Sequence, residues 1–564
     1  MPFTAPTAEQ RFALDHVVRL SELAATDKFA AASDDVIDAV LEGIGQFAAG
    51  EWAPLARAGD TVGAKWTPEG VVMPEGYPEA YRAFVEGGWG TIGAPEAFGG
   101  QGLPFAIQTA VLETLGTANM GFALCPILTV GAIEALAHHG TPEQQAAYLP
   151  RLTSGEWTGT MNLTEPQAGS DVGALKTMAT PRGGGSWSIR GTKIFISFGD
   201  HDMADNIVHL VLARTPGAPA GTRGISLFLV PKYRLDAESN PGAFNDVRVV
   251  SIEHKMGLHA SPTCVLSFGD NDDCIGHLIG AEHGGMRAMF TMMNNARLNV
   301  GLQGVQVAEG ATQKAADYAR ERIQGARDGQ PTAIIEFPDV RRMLMRMKAQ
   351  TLAARALVYY AAGQVDRAGL GDAAAKDRLE LVTPLAKAHA TDLGNEVASL
   401  GVQIHGGMGF IEETGAAQYF REARITPIYE GTNGIQAADL VGRKLSLSNG
   451  GAFASLIADI RAEAKDAGLL ALVDACERVG RRLQTADADD RLAASYPFLN
   501  MLSVATAGWL VERLARESAD DAPGRVRRAV ADFYLAQVLP EAMGQIAAAE
   551  ARAGALYALD AGAF

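Results

Sequence analysis

Two changes in hydrophobic periodicity constrain the fold of this chain more than any other feature. From about residue 8 to 152, apolar residues recur at helical spacing. Short β-rich runs bounded by Gly, Pro and Asp follow, at 187–197, 207–213, 225–230 and 247–252. The helical period then returns at 287–321, 339–368 and 372–400. This order predicts an α+β multidomain protein.

Length and linker composition divide this pattern further. The chain has 564 residues, which at roughly 150 residues per domain suggests three or four modules. We predict an N-terminal all-α domain (1–156), a middle β-barrel or β-sandwich domain (157–278) and a four-helix-bundle domain (279–445). A Ser/Gly/Asn linker at 446–451 precedes an extra C-terminal helical module, 452–564.

Composition excludes several classes of protein. The net charge of −17 argues against a nucleic-acid partner. Four distant cysteines without a C-x-x-C pair, and eleven histidines without H-E-x-x-H, suggest neither a disulfide framework nor a metal site. The apolar run 121–133 is too short for an integral membrane segment and is interpreted as a buried helix. The first residues lack the features of a signal peptide, so we expect a cytoplasmic protein.

The first motif is LTEPQAGSD at 163–171. Pro166 favours an extended turn, Gly169 lets the backbone approach a ligand, and Ser170 offers a hydroxyl and an N–H to an anion. A phosphate cradle and a plain interdomain turn both fit this motif.

The second motif is IYEGTNG at 428–434, directly before a helical run. A carboxylate at a helix start is usually a cap. Glu430 is alternatively a general base, because packing against Tyr429 would raise its pKa into a useful range. Gly431 would leave room for a ligand. The local pattern leaves both roles open.

A third motif, QIHGGMGF at 403–410, is a poor dinucleotide signal. No strand-turn-helix unit surrounds it, and no acidic residue follows at the required spacing. A Rossmann-type fold is therefore disfavoured, and His405 is most simply a packed histidine.

These motifs occur in the order in which they occur in the acyl-CoA dehydrogenase family, which the chain resembles across nearly its whole length. The resemblance includes TEPQAGSD, KIFIS at 193–197, NAR at 295–297, Q-x-x-GG from Gln403 and YEGT from Tyr429. The lead-in at 5–12 and the module beyond Asn449 resemble the longer members, in particular the branch that includes 3-methylmercaptopropionyl-CoA dehydrogenases.

The resemblance implies FAD as the cofactor and assigns its contacts. Leu163 and Thr164 would contact the isoalloxazine edge, with Phe195 beside the ring and Ser197 near N5. The remaining cofactor contacts would be Gly169, Ser170, Arg322, Gln403, Gly406, Gly407 and Thr432. Of these, Arg322, Gln403, Gly406 and Gly407 would come from the neighbouring subunit, which implies a homodimer.

The same resemblance assigns the substrate site. Glu430 is matched to the catalytic base, and Ser170, Arg297, Tyr429 and Gly431 to the acyl-CoA site. Ala296 stands where some relatives carry the base, and alanine cannot abstract a proton. Phe195 stands where many members have Trp.

The implied reaction is α,β-dehydrogenation of an acyl-CoA to a trans-2-enoyl-CoA, with electrons passed to an electron-transferring flavoprotein. A flavin is needed because no side chain accepts a hydride. The substrate would be 3-methylmercaptopropionyl-CoA or a short- to medium-chain acyl-CoA. Alternatives are an acyl-CoA oxidase that uses O₂ and a non-catalytic assembly protein on the same scaffold. A nitroalkane-oxidase-like enzyme would favour Asp over Glu as base.

Overall fold

The computed structural model describes residues 3–564. Helices dominate the sequence on either side of the strand-rich block. The α-helices are α1 Thr7–Ala13, α2 Leu20–Ala24, α3 Asp34–Phe47, α4 Ala56–Val62, α5 Tyr77–Glu86, α6 Phe105–His139, α7 Pro142–Ser154, α8 Gly285–Glu321, α9 Pro338–Gly369, α10 Ala373–His405, α11 Ala416–Ala423, α12 Asn433–Gly442, α13 Gly451–Glu463, α14 Ala467–Thr485, α15 Ala488–Ala493, α16 Ser495–Glu517, α17 Ala522–Phe533, α18 Leu539–Met543 and α19 Ile546–Glu550.

Ten of the strands belong to the predicted middle block. The strands are β1 Lys65–Thr67, β2 Gly70–Val72, β3 Trp157–Asn162, β4 Met178–Gly183, β5 Ser186–Ser197, β6 Asn206–Arg214, β7 Ile225–Pro231, β8 Tyr233–Leu235, β9 Pro241–Phe244, β10 Val247–Ile252, β11 Thr263–Phe268, β12 Ile275–Ile279, β13 Ile323–Arg327 and β14 Gln330–Ala333. The α, β, α succession predicted from periodicity is confirmed.

The chain forms two compact units. Of the described residues, one unit comprises 3–45, 104–117 and 297–564, and the other comprises 46–103 and 118–296. The first, called here the helical unit, contains the bundle and the C-terminal module. The second, called the sheet unit, contains the large sheet.

The sheet unit is built on eight strands in the order β10-β11-β5-β12-β7-β6-β3, with β4 paired to both β5 and β6. The pairing of β4 closes a ring of five strands: β5, β12, β7, β6 and β4. Strand β3 runs parallel to β6, and β6 and β7 are buried along almost their whole length. Such continuous burial explains why these strands read as apolar runs.

The long helix α6 is interrupted at Asn119, which has φ −160° and ψ 89°. Asn119 Oδ1 accepts the Phe122 N–H at 3.2 Å, and its Nδ2 donates to the Tyr77 hydroxyl at 3.1 Å. An asparagine at this position therefore ends one helix and caps the next. Among residues 3–564, α6 is the one helix with the length and hydropathy of a membrane span, and 83% of its most apolar window is buried in protein.

In the helical unit, α8 and α10 lie side by side in the same direction, with α9 packed on α10. Small residues allow this close approach. A Cβ on Gly304 would lie 2.1 Å from the carbonyl oxygen of Ala390. Their C-terminal ends also meet, because the Tyr318 ring stacks on His405 with a centroid distance of 4.3 Å. The C-terminal ends of α8 and α10 therefore lie together at one end of the bundle.

Candidate active site

Glu430 lies in the turn that joins α11 to α12, and its backbone is left-handed, with φ +55°. Only a few per cent of residues other than glycine adopt such a conformation, and those that do are often functional. The neighbouring Gly431 is also left-handed, at φ +82°, and a Cβ there would lie 2.9 Å from Gln436 Nε2. The turn therefore requires glycine directly after the glutamate.

Bonds from three elements fix this turn. The Tyr429 hydroxyl donates to Gln303 Oε1 on α8. Lys387 Nζ on α10 donates to the Gly431 carbonyl at 2.9 Å, and Gln436 Nε2 on α12 donates to the Glu430 carbonyl at 3.3 Å. These bonds hold the main chain of the turn and the Tyr429 side chain, and none of them uses the Glu430 carboxylate.

The surroundings of Glu430 raise its pKa to about 7. Burial is the largest cause, and the positive charges of Arg297 and Lys387 oppose it. Both cations are themselves buried. A carboxyl group with a pKa near neutrality is suited to accept a proton and release it again.

The cap of α12 is a different residue. Thr432 Oγ1 accepts the Ile435 N–H at 3.1 Å, as an N-cap does. The local pattern leaves Glu430 open as a cap or a base, the family resemblance assigns it as the base, and the structure gives the capping bond to Thr432.

In the sheet unit, the 163–171 loop is organised around Glu165, which is 3% exposed. Its carboxylate accepts Lys193 Nζ at 2.8 Å and the Thr177 hydroxyl at 2.6 Å. It also accepts the backbone N–H groups of Lys176, at 2.6 Å, and Thr177, at 3.0 Å. Although burial raises the pKa of Glu165, the Lys193 charge and these bonds outweigh it and bring the pKa to about 2.

This network brings several of the predicted flavin contacts together. Lys193 Nζ also donates to the Leu163 carbonyl at 3.0 Å, and the Thr164 carbonyl accepts the Ile194 N–H at 2.9 Å. Phe195 follows on a β-bulge, because Ile194 and Phe195 lie opposite Val265 alone.

The Phe195 ring is displayed outward. Phe195 has φ +60° and is 58% exposed, while Ile194 before it is half-buried and Ile196 after it is buried. Gly169 and Ser170 are exposed, Ser197 at the end of β5 is half-buried, and a Cβ on Gly169 would meet no atom within 4 Å. An exposed aromatic ring can stack on a flat heteroaromatic ring, and an exposed loop with a glycine and a serine hydroxyl can approach a pyrophosphate.

The remaining predicted FAD contacts lie elsewhere in the helical unit. Arg322, Gln403, Gly406 and Gly407 are exposed at the shared C-terminal end of α8 and α10. Lys387, which touches the Glu430 turn, is about 27 Å from His405 along α10 at 1.5 Å per residue. Within one chain, the structure therefore does not bring this group next to Glu430, whereas Arg297, Tyr429, Gly431 and Thr432 do surround the turn.

Sequence reasoning missed three buried groups that shape the two motifs: Lys193 as an anchor of the first loop, and Lys387 and Gln303 as anchors of the second. A signal for Lys387 exists. It is the one lysine in the mostly apolar run LVTPLAKAHA at 381–390, and the structure buries all ten of these residues. Buried lysines are rare unless paired, so an isolated one in an apolar helix indicates a fixed acceptor.

Family models match almost the whole chain in order. They are described as acyl-CoA dehydrogenase N-terminal domain (residues 36–156), middle domain (160–271) and C-terminal domain (283–445). A fourth, acetyl-CoA dehydrogenase C-terminal like, matches 451–560.

Individual relatives agree with these models. A 3-methylmercaptopropionyl-CoA dehydrogenase of Ruegeria pomeroyi is 44% identical over 96% of this chain and 97% of its own length. A chain solved under the description electron transferring flavoprotein of Acidaminococcus fermentans is 29% identical, with a TM-score of 0.61, over 72% of this chain and 97% of that chain. An acyl-CoA dehydrogenase of Bacillus anthracis complexed with FAD shares the fold, with a TM-score of 0.76 and 22% identity over 94% and 90% of the two chains.

The family models and the relatives define a flavin-dependent oxidoreductase that acts on acyl-CoA and uses FAD. The chain belongs to the acyl-CoA dehydrogenase family. The family membership and FAD inferred from the motifs are confirmed.

Proposed function

We propose that Glu430 removes the α-proton of an acyl-CoA thioester, giving a trans-2-enoyl-CoA. The observation that carries this proposal is the Glu430 turn: a left-handed glutamate with a pKa of about 7, anchored through its main chain and flanked by two buried cations. FAD, when bound, supplies the acceptor for the hydride that leaves the β-carbon. Leu163, Thr164, Phe195 and Ser197 are the residues we assign to its ring.

The turn at residues 429–432, called here the base turn, and the two cations beside it have separate roles in removing the proton. Glu430 accepts it, and the charges of Arg297 and Lys387 keep enough of the carboxylate ionised near neutral pH to do so. Tyr429, which is hydrogen-bonded to Gln303, forms one wall of the acyl channel. Gly431 leaves room for the thioester. Ser170 is assigned to the pantetheine arm.

We further propose 3-methylmercaptopropionyl-CoA, or a short- to medium-chain acyl-CoA, as the substrate, and an electron-transferring flavoprotein as the electron acceptor in the cytoplasm. The 44% identical relative over almost the full length supports the substrate. An acyl-CoA panel measured with an electron-transferring flavoprotein and with air tests both assignments. We expect rapid turnover with the flavoprotein and slow peroxide formation in air. Stoichiometric peroxide at the rate of enoyl-CoA formation would instead identify an oxidase.

Residues at the exposed end of α8 and α10 support a homodimer. Arg322, Gln403, Gly406 and Gly407 are remote from the base of their own chain along α10, so we propose that they hold the FAD of a second copy. We also propose the domain bounds 1–156, 157–278, 279–445 and 452–564.

Complementation tests this arrangement. Arg322→Ala and Glu430→Gln are each expected to be inactive, one through FAD binding and one through proton transfer. A co-expressed heterodimer of the two should recover one complete site out of two. Failure to recover activity in a purified heterodimer, or a monomer with full FAD and activity in light scattering, would contradict the shared site.

A further inference from the structure

The C-terminal module touches the helix that carries Lys387. Its helix α16 begins at Ser495 and packs against α10 and α12. In the first turn of α16, the Tyr496 hydroxyl donates to Asp392 Oδ2 on α10 at 2.5 Å. Tyr496 is 41% exposed, so its ring does not fill a core position.

Asp392 also accepts a hydrogen bond from a residue beside the base turn. Its Oδ1 accepts Asn433 Nδ2 at 2.8 Å. Asn433 is the first residue of α12 and is 3% exposed, and its Oδ1 accepts Lys387 Nζ at 2.9 Å. The same Lys387 Nζ donates to the Gly431 carbonyl at 2.9 Å.

Four hydrogen bonds thus connect the extra module to the residue next to Glu430: Tyr496 to Asp392, Asn433 to Asp392, Lys387 to Asn433, and Lys387 to Gly431. Asn433 is held further by the Thr391 hydroxyl, which accepts its Nδ2 at 3.0 Å. Buried polar groups in such a series depend on one another, because losing one partner leaves the next unsatisfied.

We propose that Tyr496 is a positioning residue for Glu430, acting through Asp392, Asn433 and Lys387. The extra C-terminal module would therefore stabilise the geometry and charge of the base turn in addition to covering the bundle. This inference rests on the proposed role of Glu430 as the base.

The charges around the turn set the direction of the expected pH effect. Arg297 from α8 and Lys387 from α10 face Glu430, while Asp439 in α12 and Arg443 directly after α12 act on Arg297. Burial raises the pKa of Asp392, and the hydrogen bond from Tyr496 opposes that rise; the charge of Asp392 in turn supports the ammonium of Lys387.

Removing the Tyr496 hydroxyl should raise the pKa of Asp392 further, which should weaken its support of the Lys387 charge and in turn raise the pKa of Glu430. The rate of flavin reduction should then reach its plateau at higher pH.

The test is a double-mutant cycle on the FAD-loaded enzyme with Tyr496→Phe, Lys387→Met and both together. Anaerobic flavin reduction by saturating 3-methylmercaptopropionyl-CoA is followed by stopped flow between pH 6 and 9. Tyr534→Phe is the matched control, since it removes a hydroxyl of the same module that has no hydrogen-bond partner among residues 3–564.

We expect Tyr496→Phe to lower the limiting rate about 2- to 10-fold at neutral pH, the range of one hydrogen bond. The midpoint of the pH profile should move to higher pH, with FAD content and substrate affinity unchanged. In the Lys387→Met background the second substitution should have no further effect.

An unchanged rate and midpoint in Tyr496→Phe, or a loss that adds fully to that of Lys387→Met, would overturn the proposal. If Lys387→Met does not accumulate with FAD, the pH profile of Tyr496→Phe alone decides. Failure of the proposed function looks different, because Glu430→Gln would then retain near wild-type reduction whatever Tyr496 does.

Discussion

Glu165 follows Thr164 and Glu430 follows Tyr429 in a short motif, and burial raises the pKa of both carboxyl groups, yet only Glu165 has hydrogen bonds to its carboxylate that outweigh burial. Glu165 accepts hydrogen bonds from backbone N–H groups, a threonine hydroxyl and a lysine, and its pKa is about 2. Glu430 is influenced by burial and by two cations acting through their charges, and its pKa is about 7. A carboxylate saturated with donors maintains structure, whereas one held near neutrality can exchange a proton.

The largest expected difference between the two glutamates is in chemistry. Glu430→Gln keeps shape and volume but cannot accept the α-proton, so flavin reduction by acyl-CoA should slow by at least about 10³-fold. Stopped flow measures the rate, and the FAD spectrum and substrate titration should match the wild type. Glu165→Gln is the comparison variant. If both variants lose activity equally at equal FAD content, the proposed distinction is wrong.

Glu165→Gln should instead destabilise the sheet unit. The substitution leaves Lys193 as a buried charge without its carboxylate, which costs about 3 kcal/mol in the free energy of unfolding. Urea unfolding and FAD content are the measurements, with Glu165→Gln/Lys193→Met as the control that removes both charges. The double variant should recover part of the stability, and no recovery would argue against the ion pair as the cause.

The two glutamates should also affect stability with opposite signs as pH changes. The pKa of Glu165 is lowered from 4.5 to about 2 on folding, so its stabilisation is present above pH 4.5 and is lost as pH falls toward 2. The pKa of Glu430 is raised from 4.5 to about 7, so its contribution falls as pH rises through that interval.

Unfolding free energies of the wild type minus each Gln variant, measured between pH 3 and 8, isolate these contributions. The difference should rise with pH for Glu165, most steeply below pH 4.5, and fall with pH for Glu430. The same slope for both residues would contradict the pKa assignments.

The sequence predicts the strands that carry a clear apolar pattern and misses those that do not. The strands at 187–197 and 225–230 are recovered to within one residue, because alternating or continuous apolar runs are long and bounded by turn residues. The hairpin β13–β14 is missed because its strands are short and mostly exposed, so no apolar pattern marks them.

At the site, the local pattern around Glu430 fits both a cap and a base, and only the resemblance to the family assigns Glu430 as the base. Choosing between them depends on contacts from residues far apart in the chain. Thr432 caps α12, while Lys387 and Gln303 anchor the turn from α10 and α8. Periodicity carries no information about such long-range pairing.

The smallest predicted effect concerns this division between cap and base. Thr432→Ala removes the α12 N-cap and should lower the free energy of unfolding by about 1 kcal/mol. Thr432→Ser retains the capping hydroxyl and should restore most of that loss. Chemical denaturation of the wild type and the two variants measures these free energies of unfolding. Equal stability of the Ala and Ser variants would mean that another group caps the helix.

The measurement that tests the central claim most directly follows the α-proton itself. An acyl-CoA analogue in which sulfur replaces the β-carbon has no β-hydride to lose, so proton removal can be observed without oxidation. The wild type in D₂O should introduce deuterium at the α-carbon of the recovered thioester. Glu430→Gln, with FAD and analogue bound, should do so at least about 10³-fold more slowly. Exchange at the wild-type rate in the Gln variant would show that another group removes the proton.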